Sequence, residues 1–186
     1  MLAEPQVVRR SIGVTMQEAA LDVEMTGREH LELIAGLWGL PSRKIKTEAS
    51  GLLEEFELAH AADRLIGTYS GGMRRRLDLA GALINKPKVL FLDEPTTGLD
   101  AQSRRALWNR VKVLKEEGVA VFLTTQYLEE VDILADRIAV LNAGHIIAQG
   151  TPEELRHANG DATLRLKARD PSRLMNWLSG KVDGCR

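Results

Sequence analysis

Apolar residues recur at intervals of three and four between residues 26 and 84, which is the spacing of one face of an α-helix. The pattern predicts three helices, beginning near Thr26, Ser42 and Ser70. Thr26 and Glu29 have the spacing of a capping box, which marks a helix N-terminus. The positions expected to face a core are Leu31, Ile34, Ala35 and Trp38 in the first helix, Ile45, Ala49, Leu52, Leu53 and Phe56 in the second, and Met73, Leu77, Ala80 and Ile84 in the third.

Short apolar runs replace the helical spacing later in the chain. The runs VLFL at residues 89–92 and VAVFLTT at 119–125 are typical of strands buried on both faces of a parallel sheet. Residues 7–16 favour another short strand, which leads to Gln17. An amphipathic helix is expected between the two runs, over residues 100–117.

The last third of the chain carries hairpin and helix signals. Two short apolar segments within residues 138–149 flank an Asn-Ala-Gly turn, which predicts a β-hairpin. Thr151, Pro152 and Glu154 then mark the start of a final helix. Residues 162–167 alternate as in an edge strand, and no role is predicted for residues 160–186. Strands that alternate with helices predict an α/β fold, with a parallel sheet, flanking helices and an inserted helical subdomain.

Composition excludes several classes of function. The 186 residues carry a net charge of −1, and only 4% are aromatic, so the basic run Arg74–Arg76 does not favour a nucleic-acid role. Cys185 is the only cysteine, so neither an internal disulfide nor a zinc site built from cysteines is expected. Neither a signal-peptide core nor an apolar run of membrane-spanning length occurs in the sequence. We therefore expect a cytoplasmic protein, which reaches a membrane only through a partner.

Polar side chains follow the predicted strands at the edge where open parallel sheets bind ligands. They are Gln17, the adjacent pair Asp93 and Glu94, and Gln126. Asp93 directly after a strand could hold Mg²⁺ through water, and Glu94 could orient a water molecule for attack on a phosphate. Two adjacent carboxylates are by themselves more typical of a solvated strand end, so other residues must decide between these interpretations.

Ser70, Gly71 and Gly72 stand at the predicted start of the third helix. Backbone N–H groups without a helical partner, the helix dipole and a serine hydroxyl together suit an anion such as phosphate. An ordinary capped helix would have the same sequence. The carboxylates about twenty residues later favour the phosphate interpretation, because one nucleotide site needs both parts.

Three segments together resemble one family. YSGGMRRRLDLAGAL at residues 69–83, KVLFLDEPTTGLD at 88–100 and RIAVLNAGHIIAQGTPEEL at 137–155 are similar to the signature motif, the Walker B segment with the D-loop, and the C-terminal region of ABC-transporter ATPase subunits. Within that family the chain most resembles daunorubicin-type drug-resistance exporters of bacteria. The resemblance implies a partial P-loop NTPase-like fold over residues 1–159, with a helical subdomain at about 18–84 and the Walker B to C-terminal part at about 85–159.

The resemblance also implies roles for individual residues. Glu94 would be the general base, Asp93 would serve Mg²⁺, and Gln17 would be the Q-loop glutamine that reaches Mg²⁺ and the attacking water. ATP held by the opposite subunit of a head-to-tail dimer would be contacted through its γ-phosphate by Ser70, Gly71, Gly72 and Met73. Asp100 of the D-loop would cross the dimer interface. The helical subdomain would dock on a membrane permease.

The sequence departs from the family pattern at two places. The 186 residues contain no G-x-x-x-x-G-K-[ST] loop, which supplies the backbone cradle and the lysine for the phosphates of ATP. We therefore expect the N-terminal part of the domain, which binds the phosphates of ATP, to be missing. The chain alone is expected not to bind Mg·ATP, and its signature motif is expected to face ATP bound by a partner. Gln126 stands where most of the family has histidine. Glutamine can hydrogen-bond a γ-phosphate or hold the catalytic loop, but it cannot take up a proton near neutral pH.

Three functions are compatible with these features. The favoured one is the ATP-binding subunit of an ABC exporter, peripheral on the inner face of the cell membrane, which couples ATP hydrolysis to the export of drugs or other small molecules. The second is a non-hydrolysing fragment that offers its signature motif to an intact partner ATPase. The third is an ATPase of the DNA-repair or translation branch, which the absence of cysteine-based zinc modules and of a second tandem ATPase disfavours.

Overall fold

The computed structural model describes residues 4–158, which belong to two compact units that meet in sequence at Ala135 and Asp136. The first unit contains α1 (Pro5–Ser11), β1 (Ile12–Thr15), α2 (Gly27–Leu37), α3 (Ser42–Glu55), α4 (Gly71–Leu83), β2 (Val89–Asp93), α5 (Ala101–Glu116), β3 (Ala120–Thr124) and α6 (Leu128–Leu134). The second contains β4 (Ile138–Asn142), β5 (His145–Gly150) and α7 (Pro152–Ala158). Residues 159–186, with the predicted edge strand at 162–167, lie outside the described residues. Among residues 4–158, no helix combines the length and the apolar character that a membrane span requires.

A parallel sheet organises the first unit. Its strand order is β1-β2-β3, and both neighbouring pairs are parallel. In register, Thr15 lies beside Leu92, and Asp93 lies beside Thr124. Helices α2–α4 are inserted in the chain between β1 and β2. The α/β class and the parallel sheet are therefore as predicted, and all three strands end at one edge.

The three predicted helices are present, with the expected caps. At α2 the Thr26 hydroxyl accepts from the Glu29 N–H, and the Glu29 carboxylate accepts from the Thr26 N–H at 2.8 Å. At α4 the Ser70 hydroxyl accepts from the Met73 N–H at 3.2 Å. Fully buried side chains from all three helices meet in one core, and they include Leu31, Leu53 and Leu77.

Gly13 allows α4 to lie directly on the sheet. A Cβ at this position would be 2.4 Å from the Ala82 carbonyl oxygen of α4. Any side chain here would therefore push the helix away from β1. The close approach brings the helix that begins after Ser70 over the strand that leads to Gln17.

Three predicted strands are present as β1, β2 and β3, but the extent of β1 and the two-sided burial of β2 and β3 were predicted wrongly. Residues 7–11 are part of helix α1, where Pro5 occupies the first turn and no side chain is buried, so this segment lacks the burial that a strand in the sheet would have. The apolar runs are not buried on both faces, because side chains of a strand alternate and the helices cover only one face. Leu90 is fully buried, whereas Phe91 in β2 and Phe122 in β3 are 38% and 61% exposed on the other face, with ring centroids 5.7 Å apart.

The second unit has the predicted hairpin and helix. Strands β4 and β5 pair antiparallel, and the turn between them holds Ala143 and Gly144 at φ values of 47° and 81°. Two consecutive left-handed residues suit the twist of a two-residue hairpin. Thr151 caps α7 in a capping box with Glu154, through bonds of 2.8 and 3.1 Å.

A candidate nucleotide site at the strand ends

Glu94 has an unusual backbone conformation directly after β2. Its φ is 42°, in the left-handed region that residues with a side chain adopt uncommonly. Its N–H donates both to the carbonyl oxygen and to the hydroxyl of Thr124 in the adjacent strand, each at 3.1 Å. Strain held in place by neighbouring hydrogen bonds is typical of functional sites.

The Thr124 hydroxyl also holds the carboxylate of Asp93. It donates to the Asp93 Oδ1 atom across the register pair of β2 and β3. One hydroxyl thus fixes the Asp93 side chain and the backbone of Glu94 at the same time. The sequence did not predict a role for Thr124. Its position at the end of VAVFLTT was a signal, but the sequence alone does not show that Asp93 lies beside it in the adjacent strand.

The Glu94 carboxylate meets Gln126, as the sequence predicts for residues at neighbouring strand ends. Glu94 Oε2 accepts from the Thr97 hydroxyl at 3.0 Å and from the Gln126 amide at 3.5 Å, which is at the long limit of a hydrogen bond. Two donors therefore point to the same carboxylate oxygen of Glu94 at the edge where the strands end. The other strand-end residue, Gln17, is exposed two residues after β1.

The signature residues begin α4 at an open surface. Ser70 is the N-cap and is exposed, and a Cβ on Gly71 would have no neighbour within 4 Å. Gly72 is different, because a Cβ there would be 2.4 Å from the Ser103 hydroxyl of α5. Gly71 thus leaves room for a ligand to approach the backbone, while Gly72 allows two helix N-termini to lie side by side.

Asp100 is the N-cap of α5 and is tied to the same serine. Its carboxylate accepts from the Ser103 N–H at 2.9 Å and from the Ser103 hydroxyl at 2.8 Å. These hydrogen bonds lower the pKa of Asp100. Since Ser103 also touches Gly72, the structure brings the D-loop residue beside the signature helix.

A buried carboxylate supports the loop after Glu94. Glu130 of α6 is fully buried and accepts from Trp108 Nε1 of α5 at 3.0 Å and from the Thr96 hydroxyl at 3.3 Å. It therefore joins two helices to the loop that carries Glu94. Sequence reasoning missed this residue, because a glutamate in the exposed pattern LEEVD gives no sign of burial.

The oxygen atoms at this edge suit a Mg²⁺ ion that also binds phosphate. Among the described residues there is no group of three or more His, Cys, Asp and Glu side chains that could hold a metal ion unaided. Mg²⁺ at nucleotide sites is usually bound through one or two carboxylates, with water and substrate phosphates as the other ligands. The exposed Asp93 carboxylate meets that requirement, and Thr124 orients it.

Comparison with known proteins identifies the family. A family model described as ABC transporter matches residues 3–97, just over half of the chain. The chain belongs to the ABC transporter family. Within that family it is 51% identical over 170 residues to the doxorubicin resistance ATP-binding protein DrrA of Mycobacterium tuberculosis, which covers 91% of this chain and 51% of the relative.

A second relative and a solved structure agree with this assignment. The daunorubicin/doxorubicin resistance ATP-binding protein DrrA of Streptomyces peucetius is 49% identical over 168 residues, or 90% of this chain and 51% of that protein. This ABC transporter chain thus spans about half the length of the two curated relatives. The dimeric ATP-binding cassette MJ0796, solved in a post-hydrolysis state with ADP and Pi, has a TM-score of 0.70 and 26% identity over 77% of this chain and 64% of its own.

Proposed function

We propose that this chain forms the signature, Walker B and D-loop part of the ATP-binding subunit of a drug exporter, which couples ATP hydrolysis to export of drugs or other small molecules. The observation that carries the proposal is the meeting of Glu94 and Gln126 at 3.5 Å beside Asp93, at the edge where the strands end. The drug-resistance names of the two relatives, each about half identical to the chain, support an export role.

The residues at the strand ends have separate roles in ATP hydrolysis. Asp93 would hold Mg²⁺ together with Gln17, and the ion would neutralise charge on the phosphates. Glu94 accepts the proton of the attacking water as general base, while Thr97 and Gln126 fix the direction of its carboxylate. Gln126 donates a hydrogen bond to Glu94 and does not take up the proton itself, because an amide does not titrate near neutral pH.

The N-terminus of α4, with the signature residues, would bind a phosphate of ATP that a second subunit holds. The Ser70 hydroxyl can still donate while it accepts from Met73, and Gly71 leaves open space beside the backbone at the N-terminus of α4. Asp100 would cross the interface of this head-to-tail dimer. The dimeric state of MJ0796 supports the arrangement. A membrane permease would hold the pair on the inner face of the cell membrane.

A hybrid protein tests the function. The segment of the Mycobacterium tuberculosis relative that aligns with this chain is replaced by this chain, so that the other half of that ATP-binding protein is kept. We expect the hybrid to release phosphate from Mg·ATP, and Glu94→Gln to lower kcat at least ~100-fold, as expected for loss of a general base.

The matched control is Glu116→Gln, at an exposed glutamate that ends α5. It makes the same chemical change away from the site, and its kcat should equal that of the unmodified hybrid. Ser70→Ala should also lower kcat, because the hydroxyl is expected to contact the phosphate. A folded hybrid without phosphate release, or equal rates for Glu94→Gln and Glu116→Gln, would contradict the proposal.

A further inference from the structure

Arg75 is buried on α4, five residues after the signature serine. Its side chain is 8% exposed. Nε donates to the Pro95 carbonyl oxygen at 2.9 Å, Nη2 donates to the Asp93 carbonyl oxygen at 2.9 Å, and Nη1 donates to the Met16 carbonyl oxygen. All three nitrogens of one guanidinium are thus bound to main-chain oxygens from the ends of two adjacent strands.

Two of the three carbonyl groups lie directly before residues of the proposed site, Gln17 and Glu94. A peptide unit is planar, so fixing the Asp93 carbonyl also fixes the N–H of Glu94, and fixing the Met16 carbonyl fixes the N–H of Gln17. The Pro95 carbonyl has the same relation to Thr96, which donates to the buried Glu130. The guanidinium therefore sets the directions in which these segments leave the sheet.

Only arginine can make this set of contacts from one position. Its planar fork carries five N–H donors, whereas lysine offers a single nitrogen that cannot reach three separated oxygens at once. The charge is balanced within the same helix, because Arg75 Nη1 lies 3.3 Å from Asp78 Oδ2, three residues on, and that carboxylate is only 13% exposed. The neighbouring Arg76 instead binds Phe56 and Glu57 on the helical side of the unit.

We propose that Arg75 is a positioning residue that couples the signature helix to the catalytic strand ends. A displacement of α4, on which Ser70 sits, is transmitted through the guanidinium to the backbone that carries Gln17, Asp93 and Glu94. The inference rests on the proposed function for its meaning in catalysis, while the mechanical link itself is independent of ATP.

Hydrogen exchange in the full 186-residue chain tests the link. In Arg75→Gln the amides of Glu94 and Thr97 should exchange about tenfold faster, because the loop loses the contacts that keep it closed. Arg75→Lys keeps the charge beside Asp78 and should give an intermediate rate, so it remains informative if Arg75→Gln does not fold. Arg43→Gln, at an exposed position in the first turn of α3, is the matched control and should leave these amides unchanged. Wild-type exchange of residues 93–97 in both Arg75 variants would overturn the proposal.

Kinetics of the hybrid separate positioning from a merely structural role. Arg75→Gln should lower kcat with little change in KM for ATP, and Arg75→Lys should recover part of the loss. Faster exchange with an unchanged kcat would overturn the catalytic coupling. A hybrid that is inactive with Arg75 intact would instead contradict the proposed function, and the exchange result alone would then decide whether Arg75 holds the strand ends.

Discussion

Asp78 is expected to make the first unit more stable in mild acid than at neutral pH. Its side chain is 13% exposed, and burial raises its pKa from 3.8 to about 6, although the charge of Arg75 acts in the opposite direction. In the unfolded chain the pKa returns to its ordinary value. The folded state therefore binds the proton more tightly, so this contribution is fully present below pH 3.8 and is lost as the pH rises through about 6.

The size of the effect follows from the two pKa values. The difference between 3.8 and about 6 corresponds to about 3 kcal/mol over the whole range. Between pH 7 and pH 5 the expected gain is smaller, about 1 kcal/mol, because protonation of the folded state is only partly complete across that interval. Other carboxylates titrate as well, so wild-type stability alone cannot isolate the contribution of Asp78.

Asp78→Asn supplies the reference. Asparagine keeps an oxygen that accepts from Arg75 but has no proton to gain, so all other titrations cancel in the comparison. Urea unfolding followed by circular dichroism at pH 7 and pH 5 gives four unfolding free energies. The unfolding free energy of the wild type relative to Asp78→Asn should rise by about 1 kcal/mol on going to pH 5. An unchanged or falling difference would mean that Asp78 does not have a raised pKa in the folded state.

Substitutions at Glu130, Gly72 and Leu90 test the packing around the site. Glu130→Ala should lower the unfolding free energy by about 2–5 kcal/mol, because two buried donors lose their acceptor, and Glu130→Gln should cost less than half as much in the same urea experiment. Gly72→Ala should lower the unfolding free energy by about 1–3 kcal/mol, because the new methyl group displaces Ser103. Gly71→Ala, at the adjacent position, should leave the unfolding free energy within about 1 kcal/mol of wild type. Equal losses in the two variants would contradict the close contact between Gly72 and Ser103. Leu90→Ala, at a fully buried position in β2, should lower the unfolding free energy by about 2–5 kcal/mol, and a smaller loss would place the core elsewhere.

Local sequence patterns predict those parts of the structure that local physics determines. The cap residues Thr26 and Ser70 occupy their expected positions because the partners of a capping box are three residues apart, within one turn. The Asn-Ala-Gly turn formed a hairpin for the same reason, since its residues alone set the backbone. The strand-end location of Glu94 and Gln126 was also predictable, because parallel strands end at a common edge.

Contacts between distant segments could not be predicted in this way. The exposure of Phe91 depends on which face of the sheet the helices cover, and an apolar run gives no information about that choice. Arg75 stands in a run of three arginines that is typical of a solvated surface, yet its oxygen partners lie up to 59 residues away in sequence. The predicted subdomain boundaries near residues 84 and 85 stay a prediction, as do the roles of all the site residues, with Gln17 and Met73 among them.

Single-turnover hydrolysis by the hybrid protein is the decisive test of Glu94 as the general base in ATP hydrolysis. Radiolabelled Mg·ATP is bound to the Glu94→Gln hybrid, and the conversion of bound ATP to ADP is followed beside the Glu116→Gln control. Both variants should bind ATP, and only the control should convert it at the unmodified rate. Conversion by Glu94→Gln at the same rate as the control would exclude Glu94 as the general base, since another group would then take up the proton.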